Sequence, residues 1–296
     1  MIDTHLLISG VIFGLSMGSI FFLMTIGLSL CFGLMRIISL DQLLYYSVGA
    51  YITYSVSLAI GDIWLGVLAG VIVGGITALV VERVVFRRIY ERDLPFTMIT
   101  SFGVLIGGVG VIKFFWGLVP RPVPVPIAAQ VDILGTEIPA YRLVVVVIAA
   151  LVYVGIWLFL NRTIIGKAIR AGIEDVEHVE GLGINVYRLF TITFVLAGGL
   201  SGLAGGLHAP LIMVDPQMGL EVLAFAFMVV IIGGLGSIKG TLVSSILVGQ
   251  VISIGSLIYA PLAQMAPFAI MLLILLIRPT GLFGSPLLKR QQTLCC

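Results

Sequence analysis

Eight or nine stretches of this chain are apolar enough and long enough to cross a lipid bilayer. A spanning helix needs about 20 mostly apolar residues. The candidates are residues 6–35, 43–60, 63–81, 96–116, 141–160, 189–208, 221–235, 240–258 and 262–277. The first exceeds what one helix requires, so it is expected to tilt, kink or break near Gly18 or Gly27. The stretches 43–60 and 221–235 are short enough to be re-entrant instead. No segment alternates with period two over ten residues, which argues against a β-barrel. The N-terminus lacks a basic region, and the apolar run from Leu6 is too long for a signal peptide, so it reads as a span rather than a leader. The expected fold is all-α and polytopic, one membrane domain over residues 1–296.

Composition agrees. The chain is 60% hydrophobic and 10% charged, whereas a soluble domain carries roughly 25% charged residues to wet its surface. Lipid is therefore the solvent for most of the surface. A soluble enzyme, a disordered chain and a nucleic-acid binder are excluded; a net charge of +2 is too small to hold a polyanion. The three cysteines, Cys31, Cys295 and Cys296, form neither a disulfide framework nor a metal cluster.

Lys and Arg in short loops set orientation. With nine spans and the N-terminus outside, the inner side holds 13 basic residues: Arg36, Arg83, Arg87, Arg88, Arg92, Arg162, Lys167, Arg170, Arg188, Lys239, Arg278, Lys289 and Arg290. The outer side holds 3: Lys113, Arg121 and Arg142. The C-terminus is then inside. The outer loop 117–140 carries Pro120, Pro122, Pro124, Pro126 and Pro139, so it is expected to be extended and stiff. Its length suggests that it meets something outside.

Glycine, at 36 residues, is the second signal. Gly10, Gly14 and Gly18, then Gly66, Gly70 and Gly74, then Gly198, Gly202 and Gly206, and finally Gly103 and Gly107 recur at four-residue spacing. Each set lies on one helix face, where a missing Cβ lets a neighbouring backbone approach. Plain helix packing explains such ridges; sliding faces in a transport cycle are the functional reading.

An ionisable group inside a membrane is costly and marks function by default. The middles of 63–81, 141–160, 189–208, 240–258 and 262–277 hold no Asp, Glu, Lys, Arg or His. That counts against an ion-coupled carrier or channel, and against an intramembrane hydrolase, so no catalytic residue is assigned. His5, His178 and His208 are too scattered for a zinc site. Asp41, Asp215 and Glu221 fall near span ends, where each reads as an interfacial, solvated carboxylate. No nucleotide motif is present: Gly166-Lys167 lacks the rest of a P-loop, and Gly234 to Gly240 misses the dinucleotide spacing. If ATP drives this protein, another chain must hydrolyse it. The glycines Gly233, Gly234 and Gly236 read either as a tight inner turn or as a gate between half-helices.

The inner loop 161–188 is the most informative polar stretch. Glu174, Asp175, Glu177 and Glu180 gather in seven residues, while Ile169, Ile173 and Val176 recur at helical spacing. This predicts one short amphipathic helix over 168–180, stopped by Gly181 and Gly183. Its acids suit a protein partner better than an anionic leaflet.

Here the chain becomes recognisable. It resembles the permease subunit of bacterial branched-chain amino-acid ABC importers, the LivH type. Four stretches carry the likeness. They are Gly27 to Ile38 with Gly49-Ala50-Tyr51; Gly166 to Ala171, including Arg170, leading to Leu182-Gly183-Ile184-Asn185-Val186; Gly233 to Gly240; and Arg278 to Gly284. The resemblance implies an inner-membrane importer without its own cofactor. In it, two permease subunits, usually different, form the pathway. Two ATPase subunits bind the inner face, and an extracytoplasmic binding protein delivers solute. It also implies that 161–188 is the coupling loop, with Arg170, Glu174, Asp175, Glu177, His178, Glu180 and Gly183 as its contact positions.

Two stretches depart from the family pattern. After Arg36, members commonly read Asn-Phe-Ala-His-Gly plus an acid; here the positions are Ser39-Leu40-Asp41-Gln42-Leu43-Leu44. Ser39, Asp41 and Gln42 are therefore candidate pathway residues with their own solute preference, which leaves urea, a short amide or another small solute as alternatives. In the coupling loop the common Glu-Ala-Ala is Glu177-His178-Val179. A non-transporting scaffold is the remaining rival, opposed by the polar inner loop and the glycine-rich spans.

Overall fold

The computed structural model describes residues 4–284 apart from 91, 128 and 134. Four helices come first: α1 (Thr4–Met35), α2 (Gln42–Ile60), α3 (Ile63–Val84), extended by a 3-10 turn at Phe86–Arg88, and α4 (Leu94–Trp116). A hairpin of β1 (Gln130–Ile133) and β2 (Thr136–Pro139) leads into α5 (Ala140–Arg162). The short α6 (Ile164–Glu174) and α7 (Val176–Gly181) precede α8 (Val186–His208). The chain then forms α9 (Met218–Glu221), α10 (Leu223–Gly233), α11 (Ile238–Ile258) and α12 (Ala260–Ile277). Among the described residues, seven helices are long and apolar enough to span; Met218–Gly233 and Ala263–Ile277 are apolar but shorter. The stretch expected at 43–60 is a full helix, while 221–235 is one of the short segments.

Polar side chains cap the starts of several helices. The Asp62 side chain accepts from Trp64 N at 2.8 Å, Thr163 from Gly166 N at 2.9 Å, Asn185 from Arg188 N at 3.1 Å and Ser237 from Gly240 N at 3.1 Å. Each satisfies a backbone donor that a first helical turn leaves open. α1 ends on Arg36, a non-glycine residue at φ 54, a conformation that persists only where its surroundings enforce it.

The expected kink in α1 is absent; the helix runs unbroken through Gly18 and Gly27. Both glycines are contact points. A Cβ on Gly18 would lie 2.8 Å from the Ser245 carbonyl of α11, and one on Gly27 2.9 Å from the Ala197 carbonyl of α8. The Gly66 ridge works the same way, with Gly66 against Thr53 O, Gly70 against Gly49 O and Gly74 against Gly198 O, each at 2.8 Å from the would-be Cβ. Gly103 and Gly107 on α4 meet nothing within 4 Å, so this ridge packs against none of the described residues.

The result is a glycine-tight centre of α1, α2, α3 and α8, with α11 alongside α1. α4 and α5 lie outside it. In their most apolar windows 67% of α8 is buried, against 22% of α4 and 17% of α5. The outer loop is not wholly extended, as its prolines predicted, but folds into the hairpin. Arg121 and Val214 exchange two backbone hydrogen bonds of 2.9 Å, tying the loop to the segment after α8.

Candidate functional site

The connection between α1 and α2 runs through the protein interior. Ile37, Ser39, Leu40, Asp41 and Gln42 are all buried. Buried loops are rare because their polar groups need partners. Ser39 Oγ donates to Asp41 Oδ1 at 2.6 Å, Ser101 Oγ of α4 to the same oxygen at 3.1 Å, and the Tyr45 hydroxyl to Oδ2. Asp41 N in turn donates to Ser101 Oγ at 3.0 Å. Hydroxyls rather than a cation hold this carboxyl group; among the described residues no ion pair reaches it. Gln42 Nε2 donates to Ser39 Oγ at 3.3 Å and to Cys31 Sγ at 3.7 Å, and Gln42 Oε1 accepts from Ser201 Oγ of α8 at 3.1 Å.

Depth follows from helical rise. Ser101 lies seven residues into α4, about 10 Å along its axis, and Ser201 fifteen residues into α8, about 22 Å. Irregular backbone survives at such depth only when buried in protein or beside a wet cavity. Asp41, expected to be a solvated interfacial carboxylate, is instead fully buried, because three hydroxyls from two helices and the loop replace its water. Asp215 is half-buried and Glu221 exposed, as span-end acids should be.

Farther along the same seam, the Tyr46 hydroxyl pairs with His208 Nδ1 at 2.5 Å. His208 Nε2 and the Tyr51 hydroxyl are buried without a partner. Gln42 and Tyr46 are four residues apart on α2, and Ser201 and His208 seven apart on α8, so the two pairs are successive rungs between these helices. The sequence reading missed the upper rung, having treated the histidines as scattered. Its only trace was a histidine at the end of an otherwise uncharged span.

The loop 161–188, expected on the inner side, forms two helices where one was expected over 168–180. The break is at Asp175, whose backbone is extended (φ −157, ψ 110). Its side chain instead accepts from His178 N at 3.2 Å and lies 2.6 Å from His178 Nδ1, capping α7. Asp competes with helix in this way by bonding to the local backbone. Arg170, Glu174, His178 and Glu180 are exposed, and Arg170 Nη1 donates to Asn161 Oδ1. Ile169 and Val179 are buried, and Gly183 turns the chain at φ 79. Glu177 lies on α7; its side chain is outside the described part of the structure.

Parts of the family-like stretches, far apart in sequence, come together: Gly33 meets the 233–240 turn, and that turn meets the 278–284 segment. Gly33 of α1 sits between the turn and α6. A Cβ there would lie 3.2 Å from Gly236 Cα and 3.5 Å from Ile173 Cδ1 of α6. The turn closes through Gly234 (φ 94) and Gly236 (φ 82). The chain after α12 folds back on it, with Leu282 N donating to Ile232 O at 2.8 Å and Phe283 N to Gly233 O at 3.1 Å. Gly233 packs against the Gly240 backbone, joining the ends of α10 and α11. The geometry of Gly233, Gly234 and Gly236 is that of a clamped turn. Cys295 and Cys296 lie outside the described residues.

The described residues form a polytopic helical bundle with a buried polar seam between α2 and α8. The family described as the permease component of branched-chain amino acid transport systems matches residues 10–276. The chain belongs to that family and is a multi-pass protein of the inner (plasma) membrane. It is 25% identical over 291 residues to the high-affinity branched-chain amino acid transport system permease protein LivH of Salmonella typhimurium, covering 92% of this chain and 94% of the relative. The corresponding BraD protein of Pseudomonas aeruginosa is 26% identical over 289 residues, with coverage of 92% and 94%. A fructose import permease protein, FrcC of Rhizobium meliloti, is 32% identical over 129 residues, covering 41% of this chain and 35% of that protein. No solved structure matches.

Proposed function

We propose that this chain is the permease subunit of an ABC importer for a branched-chain or related small amino acid. It pairs with a second, different permease and is energised by two ATPase subunits docked on its inner face. An extracytoplasmic binding protein supplies the solute. The N-terminus is outside and the C-terminus inside, as the 13-to-3 basic asymmetry favours. α6 and α7 form the coupling element, presenting Arg170, Glu174, His178 and Glu180, and the buried run Ser39, Asp41 and Gln42 lies on the pathway.

One observation carries this reading. Gly33, Ile173 and Gly236, from three separate stretches, converge at the end where an inner ATPase would push. A displacement of α6 would act at once on α1 and on the α10–α11 turn. The test is reconstitution with the partner subunits, measuring ATP-driven leucine uptake together with ATPase stimulation. Glu174→Lys with Glu180→Lys should insert normally yet uncouple the two. Unchanged transport and ATPase in that double variant would remove the coupling assignment.

A related small solute stands as a second reading, motivated by the departure at 39–44 and by the partial likeness to a fructose permease. Competition of uptake by urea, short amides and fructose separates it from the first.

A further inference from the structure

Arg87, Arg88 and Arg92 follow α3 and crowd one cavity of about 370 Å³, which Tyr90 and Tyr187 complete. All three arginines are exposed, and no ion pair is recorded for them among the described residues. A carboxylate beside them, Glu82, is already committed. It is buried, its Oε1 accepts from the Tyr90 hydroxyl at 2.7 Å, and its Oε2 lies 3.6 Å from Arg83 Nε. Burial, then the hydrogen bond to Glu82, pushes the Tyr90 hydroxyl above its ordinary value, so it stays a neutral donor. Tyr90, Tyr187 and Phe190 meet in tilted and edge-on contacts with ring centroids 5.1–6.3 Å apart, so Phe190 backs the two tyrosines of the cavity wall. Tyr187 is on the first turn of α8, whose N-terminal end carries partial positive charge. The flanking helix ends expose apolar side chains: Val84 on α3, Leu94 and Phe96 on α4.

Three guanidinium groups with no ion pair among the described residues, set in a concave site at the end of membrane-spanning helices, suit a phosphate group. Arginine forks bind phosphate oxygens in pairs. Apolar side chains beside the cavity suit the acyl chains attached to such a phosphate. We propose that the Arg87–Arg88–Arg92 cavity binds the phosphodiester headgroup of an anionic phospholipid from the inner leaflet. This rests on the orientation given above and not on the identity of the transported solute. It also separates two inner surfaces by charge: the acidic α6–α7 element for a protein, and this basic cavity for lipid.

The test uses the full-length chain, delipidated in detergent and mixed with phosphatidylglycerol or phosphatidylcholine, with bound lipid counted by native mass spectrometry. Wild type should retain phosphatidylglycerol in clear preference. Arg87→Gln, Arg88→Gln and Arg92→Gln combined should lower that binding on the order of a hundredfold. Arg162→Gln, an exposed basic residue outside the cavity, should leave it unchanged. If the triple variant does not fold, Arg92→Gln alone, with a loss of roughly fivefold, decides. Equal retention of the two lipids would overturn the proposal, as would equal loss with Arg162→Gln. Complete displacement of lipid by millimolar inorganic phosphate would assign the cavity to a soluble anion and overturn the lipid reading.

Discussion

Gly66, Gly70 and Gly74 on α3 and Gly103 and Gly107 on α4 repeat at the same spacing, yet their surroundings are opposite. The first set lies against the backbones of α2 and α8; the second meets nothing within 4 Å. The same contrast runs through the polar residues. Ser101 and Ser201 are buried and hold the Asp41–Gln42 loop, while Thr100, one residue before Ser101, is half-buried and bonds to its own helix at Phe96 O. Spacing along a helix marks which residues share a face. It does not say what lies across from that face.

Substitutions that treat the two regions alike should sharpen the contrast. The largest effect is expected at Asp41. Asp41→Leu leaves the Ser39, Tyr45 and Ser101 hydroxyls buried without their acceptor, and should cost about 3 kcal/mol or more. Asp41→Asn keeps an acceptor oxygen and should be markedly milder. Thermal unfolding of the purified subunit ranks them, and equal melting of both variants would argue against a hydroxyl-held carboxyl.

Gly205→Ala comes next. Its Cβ would collide with the Tyr46 carbonyl, an overpacking of about 1–3 kcal/mol that backbone cannot easily relieve. Gly107→Ala, with open space around it, should leave stability unchanged or raise it by up to about 1 kcal/mol. Matching yields of monodisperse protein for the two variants would break the distinction between seam and periphery.

The smallest effect is expected from single hydroxyls. Ser201→Ala removes one bond to Gln42 and should cost about 1 kcal/mol, whereas Thr100→Ala should be silent within about 0.5 kcal/mol. Unfolding curves recorded side by side distinguish them.

Much of the architecture was legible in the sequence because lipid imposes a simple rule: long uncharged runs become helices. The helical character of the 161–188 stretch was legible through its acids and its Ile169–Ile173 spacing. Its division at Asp175 was not, since the cap depends on how one side chain folds back on His178. The burial of Asp41 was hidden for a different reason. Its partners Tyr45 and Ser101 include a residue 60 positions away, and only packing brings them together. The Tyr46–His208 rung spans 162 positions and left the same faint trace. The proline-rich loop 117–140 concealed a hairpin, because its strands follow Pro120, Pro122, Pro124 and Pro126, and Pro139 only ends β2.

If the buried Ser39, Asp41 and Gln42 run lies on the pathway, as proposed, the α1–α2 connection must open during transport. Cys31 reports on it without mutation, being fully buried with Gln42 Nε2 3.7 Å from its sulfur. The measurement is maleimide modification of Cys31 in the reconstituted transporter, quantified by peptide mass spectrometry, at rest and with the ATPase trapped in its ATP-bound state. Protection at rest and a rise in modification upon trapping are predicted. Equal modification of Cys31 in the two states would contradict the account.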